Sequence, residues 1–140
     1  MSTGVRVSGL SKVFPTRAGL LHAVDGVGLD IAPGTTFGLV GESGSGKSTV
    51  GRCVLRLLEP TEGTVIVDDT DVRALRPRQL RAWRARSQMV FQDPYESLNP
   101  RMTILQLLEE PLVLHGTSSR AARRGRAIEL MELVRLEQRY

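Results

Sequence analysis

GLVGESGSGKST, Gly38 to Thr49, is the stretch on which the rest of the chain turns. Gly41 to Ser48 fits G-x-x-x-x-G-K-[ST], the pattern of a loop that cradles phosphate. Gly41, Gly44 and Gly46 let the backbone turn tightly and approach a ligand closely. The amides of Glu42, Ser43, Gly44, Ser45, Gly46, Lys47 and Ser48 then point inward at phosphate oxygens. A following helix adds its positive end and its unpaired N–H groups. In this pattern Lys47 bridges the terminal phosphates and Ser48 offers its hydroxyl to Mg²⁺. Thr49 is placed to reach an α-phosphate oxygen. The plainer alternative is a glycine-rich surface turn before an ordinary helix.

The motif needs a strand before it and a helix after it. Thr36 to Val40 is short, apolar and bounded by turns, as a buried strand is. Lys47 to Glu59 reads as a helix, with Val50, Val54, Leu57 and Leu58 on one side and Pro60 ending it. Upstream, Val5 to Phe14 and Val24 to Ile31 read as strands separated by a loop at Pro15 to Leu21. Downstream, Gly63 to Asp69 and Gln88 to Phe91 read as strands. Arg78 to Arg86, Thr103 to Leu114 and a segment ending at Leu136 read as helices. Thr103 caps the second of these, which is expected to be interrupted near Pro111, and Ser118 or Ser119 caps the third. This order indicates an α/β nucleotide-binding fold of the P-loop NTPase kind.

Composition excludes several classes. At 140 residues, 41% hydrophobic and 24% charged, the chain has the balance of one globular domain. No run of 18 apolar residues is present, so direct membrane insertion is not expected. The N-terminus lacks the apolar core of a secretion signal, which makes a cytoplasmic location the expectation. Cys53 is the only cysteine, so it has no internal disulfide partner, and its place on an apolar-rich helix points to packing. His22 and His115 lie far apart with no neighbouring ligand set, which argues against a metal site built on them.

Seventeen of the nineteen basic residues are arginine; the two lysines are Lys12 and Lys47. A compact ammonium suits the oxygens between two phosphates better than a planar fork does, though a coding bias toward arginine gives the same count. Arginines 73, 76, 78, 81, 84 and 86 raise the possibility of nucleic-acid binding. Their spacing scatters them over several faces, with no aromatic platform or base-reading motif. A solvated face is the expectation, and no nucleic-acid partner.

Phosphate binding alone suits kinases, GTPases and transport ATPases. Gln92 follows Lys47 by forty-five positions, inside VFQDPYESLNPRMT. Together with GLVGESGSGKSTVGRCVLRLLEPTEG, that block resembles the ATP-binding subunits of ABC transporters, and within them the dipeptide/oligopeptide (and nickel) import branch. The resemblance covers essentially the whole chain. It implies ATP and Mg²⁺ as cofactors, Phe14 as the aromatic that stacks on adenine, and Gln92 as a contact to Mg²⁺ and the attacking water's region. Read without the family, Phe14 is a core or edge-strand residue and Gln92 a loop residue. The resemblance divides the chain into a nucleotide-binding core portion, 1–92, and the start of a helical subdomain, 93–140, hinged at Asp93-Pro94. It makes Tyr95, Leu98, Met102 and Ile104 candidates for contact with a membrane subunit. Implied partners are transmembrane permease subunits and a second ATPase subunit, with the protein peripheral on the inner face of the cell membrane.

The sequence departs from the family at its end. The LSGGQ-type signature, the Walker B aspartate, the catalytic glutamate and the switch histidine do not occur in residues 1–140. Asp68-Asp69 follows an apolar strand but precedes Gln92, the wrong order for Walker B, and is read as a turn. The expectation is a fragment that binds ATP weakly, if at all, and does not hydrolyse it. Two other readings stay open: a nonenzymatic nucleotide-binding or transporter-interacting remnant, and an ABC-type ATPase outside transport.

Overall fold

The computed structural model describes residues 4–92, 98–116 and 119–136. They form two compact units, residues 1–88 and 89–140.

The first unit is built on an antiparallel sheet. β1 (Val5–Thr16) and β2 (Gly19–Ile31) form a long hairpin. The loop expected at Pro15 to Leu21 shrinks to Arg17 and Ala18. The Thr16 hydroxyl donates to the Gly19 carbonyl at 2.7 Å and closes the turn. β3 (Glu62–Val67) pairs with the other edge of β1, and β4 (Thr70–Asp71) pairs with β3. The strand order is β2-β1-β3-β4. Asp68 and Asp69 have φ of 46° and 60°, the left-handed pair that joins two strands in a tight hairpin. The acidic pair is therefore the turn expected of it.

α1 (Lys47–Val54) lays Val50 and Cys53 on the sheet. They join Val7, Leu10, Val24, Val65 and Val72 in one buried cluster. Each such side chain stabilises the fold by about 1.5–3 kcal/mol. α1 stops at Val54 rather than Glu59, because Arg56 takes the left-handed region at φ 50°. The Leu57 and Leu58 amides fold back onto the Arg52 carbonyl at 2.8 and 3.1 Å, closing the helix end. The Arg56 guanidinium then donates to the Val72 and Leu75 carbonyls at 3.0 and 2.7 Å, and its Nε pairs with Glu59 at 2.7 Å. α2 (Pro77–Arg84) follows, two residues short of its expected end at Arg86.

Two expected strands are not formed. Thr36–Val40 is irregular, with Phe37, Leu39 and Val40 exposed at 48%, 45% and 93%. Gln88–Phe91 is also irregular, and Val90 is 94% exposed. Both segments have the composition of buried strands. A strand exists only through a ladder with a neighbour, and no described strand pairs with either segment.

Cys53 is 1% exposed, as its helix position suggested. Burial pushes its thiol up; Lys12 acts against that rise and Glu59 adds to it. Thiolate is the reactive form. A thiol-reactive dye at mildly alkaline pH should therefore label folded protein at least roughly 100-fold more slowly than urea-unfolded protein. Equal rates would mean that α1 does not stay docked.

The second unit contains α3 (Ile104–Leu114) and α4 (Arg120–Leu133). Thr103 caps α3 as expected: its hydroxyl accepts from the Gln106 amide at 3.2 Å, and the Gln106 side chain accepts from the Thr103 amide at 2.8 Å. α3 runs through Pro111 without the expected interruption, and the Pro111 carbonyl accepts from the His115 amide at 3.0 Å. A proline removes one backbone donor but keeps its acceptor. Of the two serines offered as caps, Ser119 accepts from the Ala122 amide at 3.3 Å; Ser118 lies outside the described residues. α4 ends at Leu133, before Leu136, where Arg135 turns to φ 57°. Ala127 and Met131 are its buried positions, while Leu133 and Val134 are 79% and 62% exposed.

Candidate functional site

The glycine loop closes on its own lysine. The Lys47 ammonium donates to the carbonyls of Gly41, at 2.7 Å, and Glu42, and to the Ser45 hydroxyl at 3.1 Å. An ammonium has three N–H donors, so all three are engaged by the loop. The Glu42 carbonyl also accepts from the Ser45 amide at 3.2 Å. Ser43 is exposed, and Gly44 turns through φ 81°. The chain enters α1 at Gly46, whose φ is 88° and whose carbonyl accepts the first helical bond, from Val50 at 2.9 Å. No side chain caps this helix start, and its first turn carries no acidic residue. The positive end of the helix is thus left uncompensated by any side chain of its first turn.

The loop is one wall of a cavity of about 430 Å³. Gly44, Ser45, Gly46, Lys47, Ser48 and Thr49 line it on that side, and Leu21, His22 and Ala23 of β2 line it on the other. The β2 wall is bent by the register: Lys12 pairs with Val24, but Val13 pairs with His22, leaving Ala23 as an extra residue. Such a bulge re-aims the side chains around it. It also presses the Ala23 carbonyl onto the loop. A Cβ on Gly46 would stand 2.3 Å from that oxygen, and one on Gly41 would stand 2.9 Å from the Ser45 hydroxyl. The left-handed backbone and the narrowness of the cradle together require glycine at Gly46.

Leu21, His22 and Ala23 were not singled out from the sequence as cavity residues. From the sequence, Leu21 reads as the end of a loop, and His22 reads as a histidine with no neighbouring metal ligands. The register shift that brings them to the phosphate loop leaves no mark in composition or periodicity.

Phe14 is half-buried and pairs with Leu21. The Lys12 ammonium sits 4.9 Å from its ring centroid and donates to the Glu59 carbonyl at 2.7 Å. Phe14 therefore stands beside the cavity wall on the neighbouring strand. Gln92 is exposed and belongs to the 89–140 unit, away in sequence from everything that forms the cavity. Asp93, Pro94 and Tyr95 lie outside the described residues. Of the other positions considered for a membrane subunit, Leu98 is 53% exposed, while Met102 and Ile104 are half-buried.

The arginine group is less uniform than a solvated face. Arg76, Arg78, Arg81 and Arg86 are exposed. Arg73 and Arg84 are half-buried and turn inward. Arg73 donates to the carbonyls of Gly63 and, at 3.4 Å, Pro60, and Arg84 donates to the Arg56 carbonyl. These guanidinium groups satisfy backbone carbonyls: those of Pro60 and of Gly63 in β3 for Arg73, and that of Arg56 just after α1 for Arg84.

The sequence profile of the ABC transporter family matches residues 24–140. A putative peptide import ATP-binding protein of Brucella ovis is 50% identical over 130 residues, which are 93% of this chain and 41% of that protein. A putative oligopeptide transport ATP-binding protein of Bacillus subtilis is 50% identical over 117 residues, 83% of this chain and 36% of its own length. The chain thus spans about two-fifths of the length of such relatives. Among solved structures, an ATP-binding cassette captured as a dimer in a post-hydrolysis state, bound to ADP and Pi, superposes with a TM-score of 0.78 at 32% identity. That superposition covers 97% of this chain and 59% of the other. No helix among the described residues is long and apolar enough to cross a membrane. The match over residues 24–140 and the identity to peptide-import ATP-binding proteins lead to one conclusion: the chain belongs to the ABC transporter family, among the ATP-binding subunits homologous to peptide-import ATPases.

Proposed function

We propose that the cavity between Leu21–Ala23 and Gly44–Thr49 holds the phosphate chain of ATP, and that the protein containing it energises the import of di- or oligopeptides. The observation that carries this reading is the cradle itself. Its helix start lacks any side-chain cap, and Lys47 is held at its centre by Gly41, Glu42 and Ser45. It is also too narrow for a Cβ at Gly46. These are the features of a site for phosphate oxygens. The peptide substrate rests on the names of relatives that are 50% identical.

In this reading the amides from Glu42 to Ser48 and the Lys47 ammonium bind the β- and γ-phosphates, and Thr49 reaches the α-phosphate. Ser48 lines the cavity, and its hydroxyl supplies one ligand to Mg²⁺. That ion commonly takes one or two protein groups, with phosphate and water completing its octahedron. Gln92 offers an amide oxygen to the same ion or to its water. Phe14 stacks on adenine from the strand beside the cavity. Residues 1–92 are the core portion and 93–140 the start of the helical subdomain. Permease subunits and a second ATPase subunit are the partners, and the site of action is the cytoplasmic face of the membrane.

The test is transport in the organism that carries the gene. Cells with Lys47→Ala in the chromosomal copy should lose most uptake of a labelled dipeptide or oligopeptide while retaining uptake of the free amino acids. Undiminished uptake of both peptide lengths would remove peptide import from the reading.

A further inference from the structure

The β2 wall of the cavity contributes one polar side chain. Leu21 and Ala23 are apolar; His22 lies between them. The bulge at Ala23 is what turns this part of β2 toward the loop. The same bulge sets the Ala23 carbonyl against Gly46, the residue that starts α1. His22 is therefore one residue from the contact between β2 and the helix start, where an anion is favoured. Its neighbour on the other side, Leu21, pairs with Phe14. An imidazole between an apolar patch and an amide-lined phosphate cradle meets a nucleotide where the phosphate chain leaves the nucleoside. Imidazole always carries at least one N–H donor, whichever tautomer is present.

We propose that His22 donates an imidazole N–H to an oxygen of the nucleotide's phosphate chain, from the β2 wall of the cavity. The nucleotide is then gripped by two elements that are distant in sequence. The loop and α1 supply backbone amides and Lys47, and β2 supplies His22. This deepens the ATP-binding reading and rests on it.

Binding of ATP, inorganic tripolyphosphate and adenosine to the chain separates the possibilities. His22→Ala should weaken ATP and tripolyphosphate alike by about tenfold, the effect of losing one hydrogen bond to a charged group. Adenosine binding should not change. His22→Asn keeps an N–H donor and should recover most of the loss. His22 is exposed, so both variants should unfold at the temperature of the parent. Should His22→Ala fail to fold, the comparison of His22→Asn with His22→Leu reads the same contact. A loss for ATP with none for tripolyphosphate would assign His22 to the sugar or base and overturn the proposal. No loss for either would overturn it as well, while leaving the nucleotide site standing if Lys47→Ala abolishes binding. If the parent binds neither ATP nor tripolyphosphate, the ATP reading falls and His22 with it.

Discussion

Lys47→Ala is expected to weaken ATP binding by about 100-fold while moving the thermal midpoint of unfolding very little. The affinity loss follows from the ligand side. An ammonium that exchanges two of its loop acceptors for two phosphates makes two charge-assisted hydrogen bonds, each stronger than the bond to a neutral oxygen that it replaces. Losing both costs about 3 kcal/mol, and each 1.4 kcal/mol is a factor of ten. The small effect on stability follows from the ligand-free structure. There the three hydrogen bonds of Lys47 go to Gly41, Glu42 and Ser45, all in an exposed loop whose carbonyls water can serve in its place. Their loss loosens the loop and leaves the cluster of Leu10, Val50, Cys53 and Val65 intact. Lys47→Arg should fall between, because a planar guanidinium keeps the charge but does not fit the same three acceptors. Calorimetric titration with Mg-ATP, paired with a thermal melt, checks both halves. An affinity within about fivefold of the parent would show that the ammonium is not on the phosphates.

The glycine loop ahead of a helix at Lys47 is legible because it is local. Gly41 to Ser48 are contiguous, and the chemistry of glycine, lysine and serine at that spacing has few other uses. The turn at Asp68-Asp69 and the cap at Thr103 were legible for the same reason, since each is decided by two to four neighbouring residues. The absence of a strand at Thr36–Val40 is not legible in the sequence, because strand formation is not local. Phe37, Leu39 and Val40 have the composition of a buried strand, yet a strand needs a ladder partner that its own sequence does not supply. The end of α1 at Val54 is hidden for a different reason. Pro60 is a visible stop, but the helix had already ended where Arg56 adopts a left-handed backbone and binds the carbonyls of Val72 and Leu75. Those acceptors lie sixteen and nineteen residues away, beyond any window that reads helix periodicity. The place of His22 on the cavity wall is not legible in the sequence for a physical reason. Whether it lines the cavity depends on a one-residue bulge, and a slip of one residue moves every later side chain to the opposite face of the sheet.

That bulge makes the second prediction, which concerns Gly46. Gly46→Ala is expected to lower the unfolding free energy by about 3 kcal/mol, and Gly44→Ala by only about half as much. Both residues have left-handed backbones, at φ 88° and 81°, and a side chain there costs roughly 1–2 kcal/mol in either place. The surroundings differ. A Cβ on Gly44 meets nothing within 4 Å, whereas one on Gly46 meets the Ala23 carbonyl at 2.3 Å. Relieving that overlap requires β2 or the start of α1 to move, which adds about 1–3 kcal/mol of packing strain. Both structures share the core beneath: Val24 follows Ala23 on β2, and Val50 lies one turn into α1. The strain should therefore be felt by the whole unit and not by the loop alone. Urea unfolding followed by circular dichroism, with unchanged slope, reads the two differences directly. Equal costs for the two substitutions would mean that β2 does not press on the loop. The cavity wall carrying His22 would then not be held where the phosphate grip needs it.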